Sequence, residues 1–298
     1  MEPEVSPHRP VMLKEVLKWL EPRPGQVVLD CTIGVGGHAA AILKELGPDG
    51  LLLGIDKDEG ALEMANRFLA PFVKTGNVRL FHTDYRNAKS VLDEAGVGDG
   101  MVDGMLLDLG ASSLQFDSPD RGFSFQYEGP LDMRMDRSEK VTAMNLLKRL
   151  SEKELADIFW RYGEERWSRR IARSIKRQAP IETTTQLANL VARTVPGKRG
   201  RIHPATRVFQ ALRIAVNKEL ESLEAFLNCS YRFQRSGGRT VAISFQSLED
   251  RIVKHSFLEG SREGVYRILT RKPVRPSQEE VQENSRSRSA KLRAVERV

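Results

Sequence analysis

Val27-Val28-Leu29-Asp30-Cys31-Thr32-Ile33-Gly34-Val35-Gly36-Gly37-His38 is the stretch on which the reading of this chain turns. Its first four residues read as a short buried strand that ends in a carboxylate. A glycine-rich turn follows, and a helix begins near His38-Ala39-Ala40. Glycine lacks a Cβ, so such a turn can be tight and lets a ligand approach the backbone. The free N–H groups at the next helix start favour a polar or anionic group. A second apolar run, Leu51-Leu52-Leu53-Gly54-Ile55, ends in Asp56, 20 residues beyond Gly36. A carboxylate there can accept hydrogen bonds from both hydroxyls of a ribose. Strand, glycine turn, helix, strand and acid together describe a nucleoside-cofactor site.

Outward from this unit the alternation continues. Residues 11–20 have helical spacing ahead of Pro22, and residues 39–46 form a helix closed by Gly47-Pro48. Residues 59–69 read as a helix stopped near Pro71. A third strand at 77–81 has Asp84 and Tyr85 at its end, a helix covers 88–95, and a fourth strand at 101–107 ends in Asp108. Such alternation predicts an α/β fold with a doubly wound parallel sheet, whose ligands bind at the carboxyl ends of the strands. Asp30, Asp56, Asp84, Tyr85 and Asp108 all fall there.

After Asp108 the rhythm changes. A long polar loop holds Arg121-Gly122-Phe123-Ser124-Phe125 and Gly129-Pro130-Leu131-Asp132-Met133-Arg134-Met135-Asp136. Helical patterns alone follow, at 142–149, 151–161, 164–177 and 184–194. This is an all-helical insertion, and it is basic: residues 161–215 carry 13 Lys/Arg against 3 Asp/Glu, whereas residues 1–110 carry 11 against 17. Arg166, Arg169, Arg170, Arg173 and Arg177 recur at helical spacing, so several share a face, and residues 197–201 form a basic loop. A concentrated basic field suits a polyanion, here nucleic acid; a merely solvated helix face is the alternative. The sheet then resumes. Residues 206–227 read as one long helix, 239–245 as a buried strand, 248–258 as a helix and 266–269 as a strand. The tail at 285–293 reads either as disordered or as a last strand with its arginines facing RNA.

The 298 residues are 40% hydrophobic and 29% charged, ordinary for a globular chain of one large or two smaller domains. The two cysteines exclude a disulfide framework, and no Cys/His cluster suggests a metal site. With no signal pattern and no long apolar run, a soluble cytoplasmic protein without membrane contact is expected. The turn formally satisfies the dinucleotide pattern G-x-G-x-x-G/A. Asp30, placed to hold an amino group, and the spacing Asp-x-x-x-Gly-x-Gly favour S-adenosylmethionine (AdoMet) over NAD. A nucleotide-dependent oxidoreductase, which would have no use for the basic insertion, and a non-catalytic RNA-binding or ribosome-assembly protein are the competing readings.

The blocks His8 to Leu13, Asp30 to His38, Leu106 to Ser113, Arg121 to Phe125, Gly129 to Asp136, Tyr162 to Arg166, His203 to Arg207, Phe209 to Arg213, Ser244 to Arg251 and Arg286 to Arg293 run nearly end to end. On them the chain resembles the RsmH (MraW) family of bacterial small-subunit ribosomal RNA methyltransferases. The resemblance implies a class I (Rossmann-like) AdoMet-dependent methyltransferase core, residues 1–114 and 214–298, with an inserted helical RNA-binding domain at 115–213. It implies methyl transfer from AdoMet to the exocyclic N4 of one cytidine in the decoding region of 16S rRNA, fine-tuning the ribosomal P site. The cofactor residues it implies are Gly36, Gly37, His38, Asp56, Tyr85, Asp108 and Gln115. The partner is 16S rRNA or the small ribosomal subunit, and the choice between monomer and homodimer stays open. Gln246 stands where the family usually has His, Ser236 and Ser285 where it has Pro, and Tyr85 where Phe is common.

The N4 lone pair of cytosine is delocalised into the ring, so the amine must be held and aligned; such positioning is worth roughly 7–11 kcal/mol. Asp108 is the expected cofactor contact or acceptor for the amine, with a turn-capping role as the alternative. The target base must be unstacked to reach a buried cofactor. Phe123, Phe125 and Tyr127 can stack on it or pack the insertion. Arg134 and Arg207 are candidate substrate contacts, although Arg134 can instead pair with Asp132 or Asp136. His203 and Cys31 are expected to pack.

Overall fold

The structure, a computed structural model, describes residues 9–178, 180–196 and 203–298. The chain divides into two compact units, Met1–Gly110 with Leu220–Val298, and Ala111–Glu219. In chain order the elements are α1 (Leu13–Leu20), β1 (Val27–Asp30), α2 (Gly37–Leu46), β2 (Leu51–Asp56), α3 (Glu59–Phe68), α4 (Ala70–Thr75), β3 (Val78–His82), α5 (Ala88–Glu94) and β4 (Val102–Asp108). The helical unit contains α6 (Ser113–Asp117), α7 (Ala143–Arg149), α8 (Glu152–Gly163), α9 (Ser168–Gln178), α10 (Thr184–Thr194) and α11 (Ala205–Asn217). Then come α12 (Glu219–Leu227), β5 (Gln234–Ser244), α13 (Ser247–Arg262), β6 (Tyr266–Ile268), α14 (Gln278–Glu283) and β7 (Lys291–Arg297).

The seven strands form one sheet in the order β3-β2-β1-β4-β5-β7-β6. The first five run parallel, and β7 is antiparallel to both β5 and β6. This is the expected doubly wound, mostly parallel α/β sheet. Its strands are apolar almost throughout because both faces are covered. Successive side chains point to opposite faces, so Leu29, Leu53 and Met105 join one core with Phe226, while Val28, Leu52 and Leu106 join another with Ile42 and Leu292. The helical unit has its own core, including Leu155, Phe159, Ile171, Leu187 and Leu212. Gly163 ends α8 where a Cβ would lie 2.5 Å from the Arg207 carbonyl oxygen, so only glycine permits this approach of α8 to α11.

The helix expected at 59–69 does end ahead of Pro71, at Phe68; Pro71 itself sits in the first turn of the short α4, where its missing N–H costs nothing. Other local expectations need correction. The single helix expected at 206–227 breaks at Lys218, which adopts the left-handed conformation (φ 52°). Arg166 precedes α9 and packs over the Trp167 ring instead of joining the helix's arginine face. The tail is ordered as β7, and Arg293 turns inward to pair with Asp250 at 2.7 Å. The basic loop at 197–201 lies outside the described residues. Among the described residues, no helix is long and apolar enough to cross a membrane.

Candidate active site

The carboxyl ends of β1, β2 and β4 hold the glycine loop between them. Asp30 is buried and accepts the Thr32 N–H at 3.1 Å. Thr32 Oγ1 accepts the Asp108 N–H at 2.6 Å, tying the loop to β4. Asp56 accepts the N–H of Gly34 at 2.8 Å and of Asp58 at 2.9 Å, tying it to β2. Gly36 takes φ +90°, a left-handed value that disfavours any residue with a Cβ. One contact was not foreseen: a Cβ on Gly54 would lie 2.2 Å from Ile33 Cδ1, so the glycine in β2 is what lets Ile33 seat the loop on the sheet.

Asp108 is the outlier. Among the described residues its Oδ1, a buried atom, has no hydrogen-bond partner, and its Oδ2 lies 3.7 Å from His38 Nδ1. His38 Nε2 is bonded to the Val11 carbonyl at 2.9 Å. Burial lowers His38 to about 4, so its imidazole is neutral, with the hydrogen on Nε2 and a lone pair on Nδ1. Burial, with the charges of Asp30 and Glu249, raises Asp108 to about 8. Burial also lifts Asp30 to about 7 and Asp56 to about 6. Asp84 behaves oppositely: against the cost of its burial, Arg86 at 2.7 Å, Lys57 at 3.0 Å and Ser222 at 2.8 Å hold it near 2. Next to it the Tyr85 ring meets Phe226 edge-on at 5.7 Å. The pocket therefore has carboxyl groups in excess of cations and a carboxyl oxygen with no protein donor. Both features suit a cationic, hydrogen-donating ligand. No group of metal-binding side chains occurs among the described residues.

The remaining expected residues belong to the helical unit. Gln115 is buried, and its Oε1 accepts the Ser112 N–H at 3.1 Å in a capping box at the start of α6. Phe125 packs between His203 and Phe209, with ring centroids 4.8 and 4.9 Å away. Phe123 is buried, whereas Tyr127 is 65% exposed. Arg134 forks onto both oxygens of Asp132 (2.7 and 2.8 Å) and also donates to the carbonyls of Arg137 and Glu139. Arg207 is exposed and makes a 3.3 Å contact with the Glu164 carbonyl. His203 Nδ1 accepts the Ala205 N–H, as a packing residue does at a helix start.

Sequence reasoning missed Arg121, Asn217 and Glu249. Arg121 donates to the carbonyls of Arg134 and Met135, and Asn217 bonds both the Met133 carbonyl and the Met135 N–H. The available signal was glycine: a Cβ on Gly129 would lie 1.9 Å from the Pro119 carbonyl oxygen, so this loop is folded tightly on itself. Glu249, buried in the first turn of α13, accepts the Gln246 side-chain amide at 2.7 Å and the Phe245 N–H at 3.0 Å.

A family model described as the MraW methylase family matches residues 5–298. A protein named ribosomal RNA small subunit methyltransferase H from Thermotoga neapolitana is 50% identical, the match covering 98% of this chain and 96% of the relative. Its namesake from Acidobacterium capsulatum is 48% identical over 97% of this chain and 98% of the relative. Family model and relatives alike span almost the whole length, and the chain belongs to the MraW methylase family.

Proposed function

We propose that this chain methylates the exocyclic N4 of a cytidine in the decoding region of 16S rRNA, with AdoMet as donor, in the cytoplasm. The name of its relatives supports rRNA of the small subunit as substrate. The observation that carries the chemistry is Asp108: a carboxyl at the end of β4 with one oxygen lacking a protein donor and a neutral imidazole behind the other.

AdoMet, when bound, supplies an electrophilic methyl group and a positive charge that the carboxyl-rich pocket suits. Gly36, Gly37 and His38 form the loop that would hold it, Asp56 would take the ribose hydroxyls, and Tyr85 would lie beside the adenine. Ionised Asp108 accepts an N–H of the amine, turns its lone pair toward the methyl group and takes up the proton released on N-methylation. Residues 115–213 bind the RNA, with Arg207 contacting phosphate and Phe125 and Arg134 shaping the platform for the base.

The test is transfer from labelled AdoMet to small subunits, and to naked 16S rRNA, prepared from cells lacking the modification. N4-methylcytidine in the digested product is the expected result, and Asp108→Ala abolishes it. AdoMet binding without transfer to either substrate would instead support a non-catalytic assembly factor.

A further inference from the structure

We infer that Glu280, in α14, is a positioning residue for Asp108, acting through the chain segment Val11-Met12 and His38; this rests on the functional reading above. Glu280 Oε1 accepts the backbone N–H of Met12 at 2.5 Å. Met12 is fully buried and adopts a left-handed conformation (φ 54°, ψ 36°), which a residue with a side chain rarely takes unless held from outside. That turn aims the preceding carbonyl, Val11, at His38 Nε2, 2.9 Å away. The hydrogen of the imidazole is thereby fixed on Nε2, and the lone pair of Nδ1 lies 3.7 Å from Asp108 Oδ2, beyond hydrogen-bond length, where it disfavours negative charge on Oδ2 and favours a proton there. Asp108 Oδ1, on the other side of the carboxyl, is left as the free acceptor.

The relay is anchored at both ends. Arg9 pairs with Glu283, and its carbonyl accepts the Asn284 side-chain amide at 3.3 Å, so α14 grips the segment at two further points. Ser277 caps α14 by accepting the Glu280 N–H at 3.1 Å. Pro10 lies against Gly37, where a Cβ would sit 3.4 Å from the proline ring, so the same segment also walls the glycine loop. A displacement near 1 Å of a reacting group can cost about 100-fold in rate. A relay that sets the rotation of one carboxyl therefore acts on turnover more than on affinity.

Three variants of the full chain test this. Glu280→Met keeps the volume and removes the acceptor, Glu280→Gln keeps an acceptor, and His38→Ala removes the relay. With subunits as substrate, E280M is expected to lower kcat about tenfold with KM almost unchanged, while E280Q keeps most of the wild-type kcat. In a His38→Ala background, E280M is expected to cost nothing more, because residues acting through one another are not additive. Independently of turnover, imidazole ¹⁵N spectra are expected to show His38 protonated on Nε2 in the wild type and E280Q, and mixed between tautomers in E280M. Should E280M not fold, Glu280→Ala takes its place in both measurements. An unchanged kcat and tautomer in that variant, or a loss fully additive with His38→Ala, would overturn the inference. Wild-type chain without methyl transfer would defeat the functional reading alone, and the tautomer spectra would still decide the relay.

Discussion

The strand-end pocket and the loop at residues 119–136 treat the same chemistry in opposite ways. In the loop, Asp132 receives the forked guanidinium of Arg134, and that pairing holds its carboxyl below the ordinary range despite partial burial. Arg121 and Asn217 then close the carbonyls of Met133, Arg134 and Met135. At the end of β4, Asp108 is half-buried beside Asp30 and Glu249, with no cation against it among the described residues, and is pushed up to about 8. A folded chain satisfies its buried polar groups unless something else is to satisfy them. The loop therefore satisfies its own polar groups, whereas the pocket keeps an acceptor that the proposed ligand would meet.

The sharpest way to break this contrast is to remove the unsatisfied group. Asp108→Asn is expected to lower kcat by about 10²–10³-fold, the scale of losing one preorganised transition-state contact, while leaving the fold intact. Equal activity in methyl-transfer assays would show that Asp108 is only a turn residue. On the scaffold side, Arg121→Ala is expected to cost about 2–4 kcal/mol in urea unfolding, because two carbonyls lose their donor and a buried side chain leaves a gap. A change below about 0.5 kcal/mol would mean that the loop is not held as described.

The pH dependence sharpens the comparison further. Asp108 and Asp30 titrate near 8 and 7 when folded but near 3.8, the ordinary value of an aspartate, when unfolded, so the folded chain binds more protons between those limits. Stability of the ligand-free protein is therefore expected to fall as pH rises from 6.5 to about 8 and to level off above it. His38, already neutral in both states there, does not oppose the fall. Over the same range kcat/KM is expected to rise toward a plateau above about 8, as the Asp108 carboxylate forms. Melting curves and initial rates at stepped pH check both signs, and Asp108→Asn should make the first shallower, leaving the Asp30 contribution. The smallest effect belongs to the exposed cation: Arg207→Ala is expected to weaken RNA binding and reduce its salt slope by about 1, measured by titration at several salt concentrations.

Much of the sheet and the carboxylates at its edge was legible in the sequence, because buried parallel strands are written as short apolar runs and the acids close those runs. The glycine loop was legible for the same local reason. What escaped reading depends on partners far along the chain. Nothing near His38 announces that Val11 would take its hydrogen, or that Glu280 would hold Met12 across 268 residues. The break at Lys218 escaped because the apolar spacing on either side stays in register, while the turn between α11 and α12 is stabilised by the Arg213–Glu219 pair and by Asn217 reaching the Met133 carbonyl. Arg134 carries no local mark that distinguishes an arginine offered to RNA from one folded into its own loop. Its geometry favours the second.

The placement of β7 has a consequence for how the molecule is made. Among the described residues β6 has no sheet neighbour except β7, and β7 lies between it and β5. During synthesis, the 3-2-1-4-5 portion of the sheet can assemble early, but β6 has nothing to pair with until residues 291–297 emerge from the exit tunnel. β6 can therefore join the sheet only after β7 has paired with β5. A nascent chain cut short before residue 291 would leave the edge of β5 exposed to other chains. β7 is thus the strand that ties the edge strand β6 to the parallel part of the sheet.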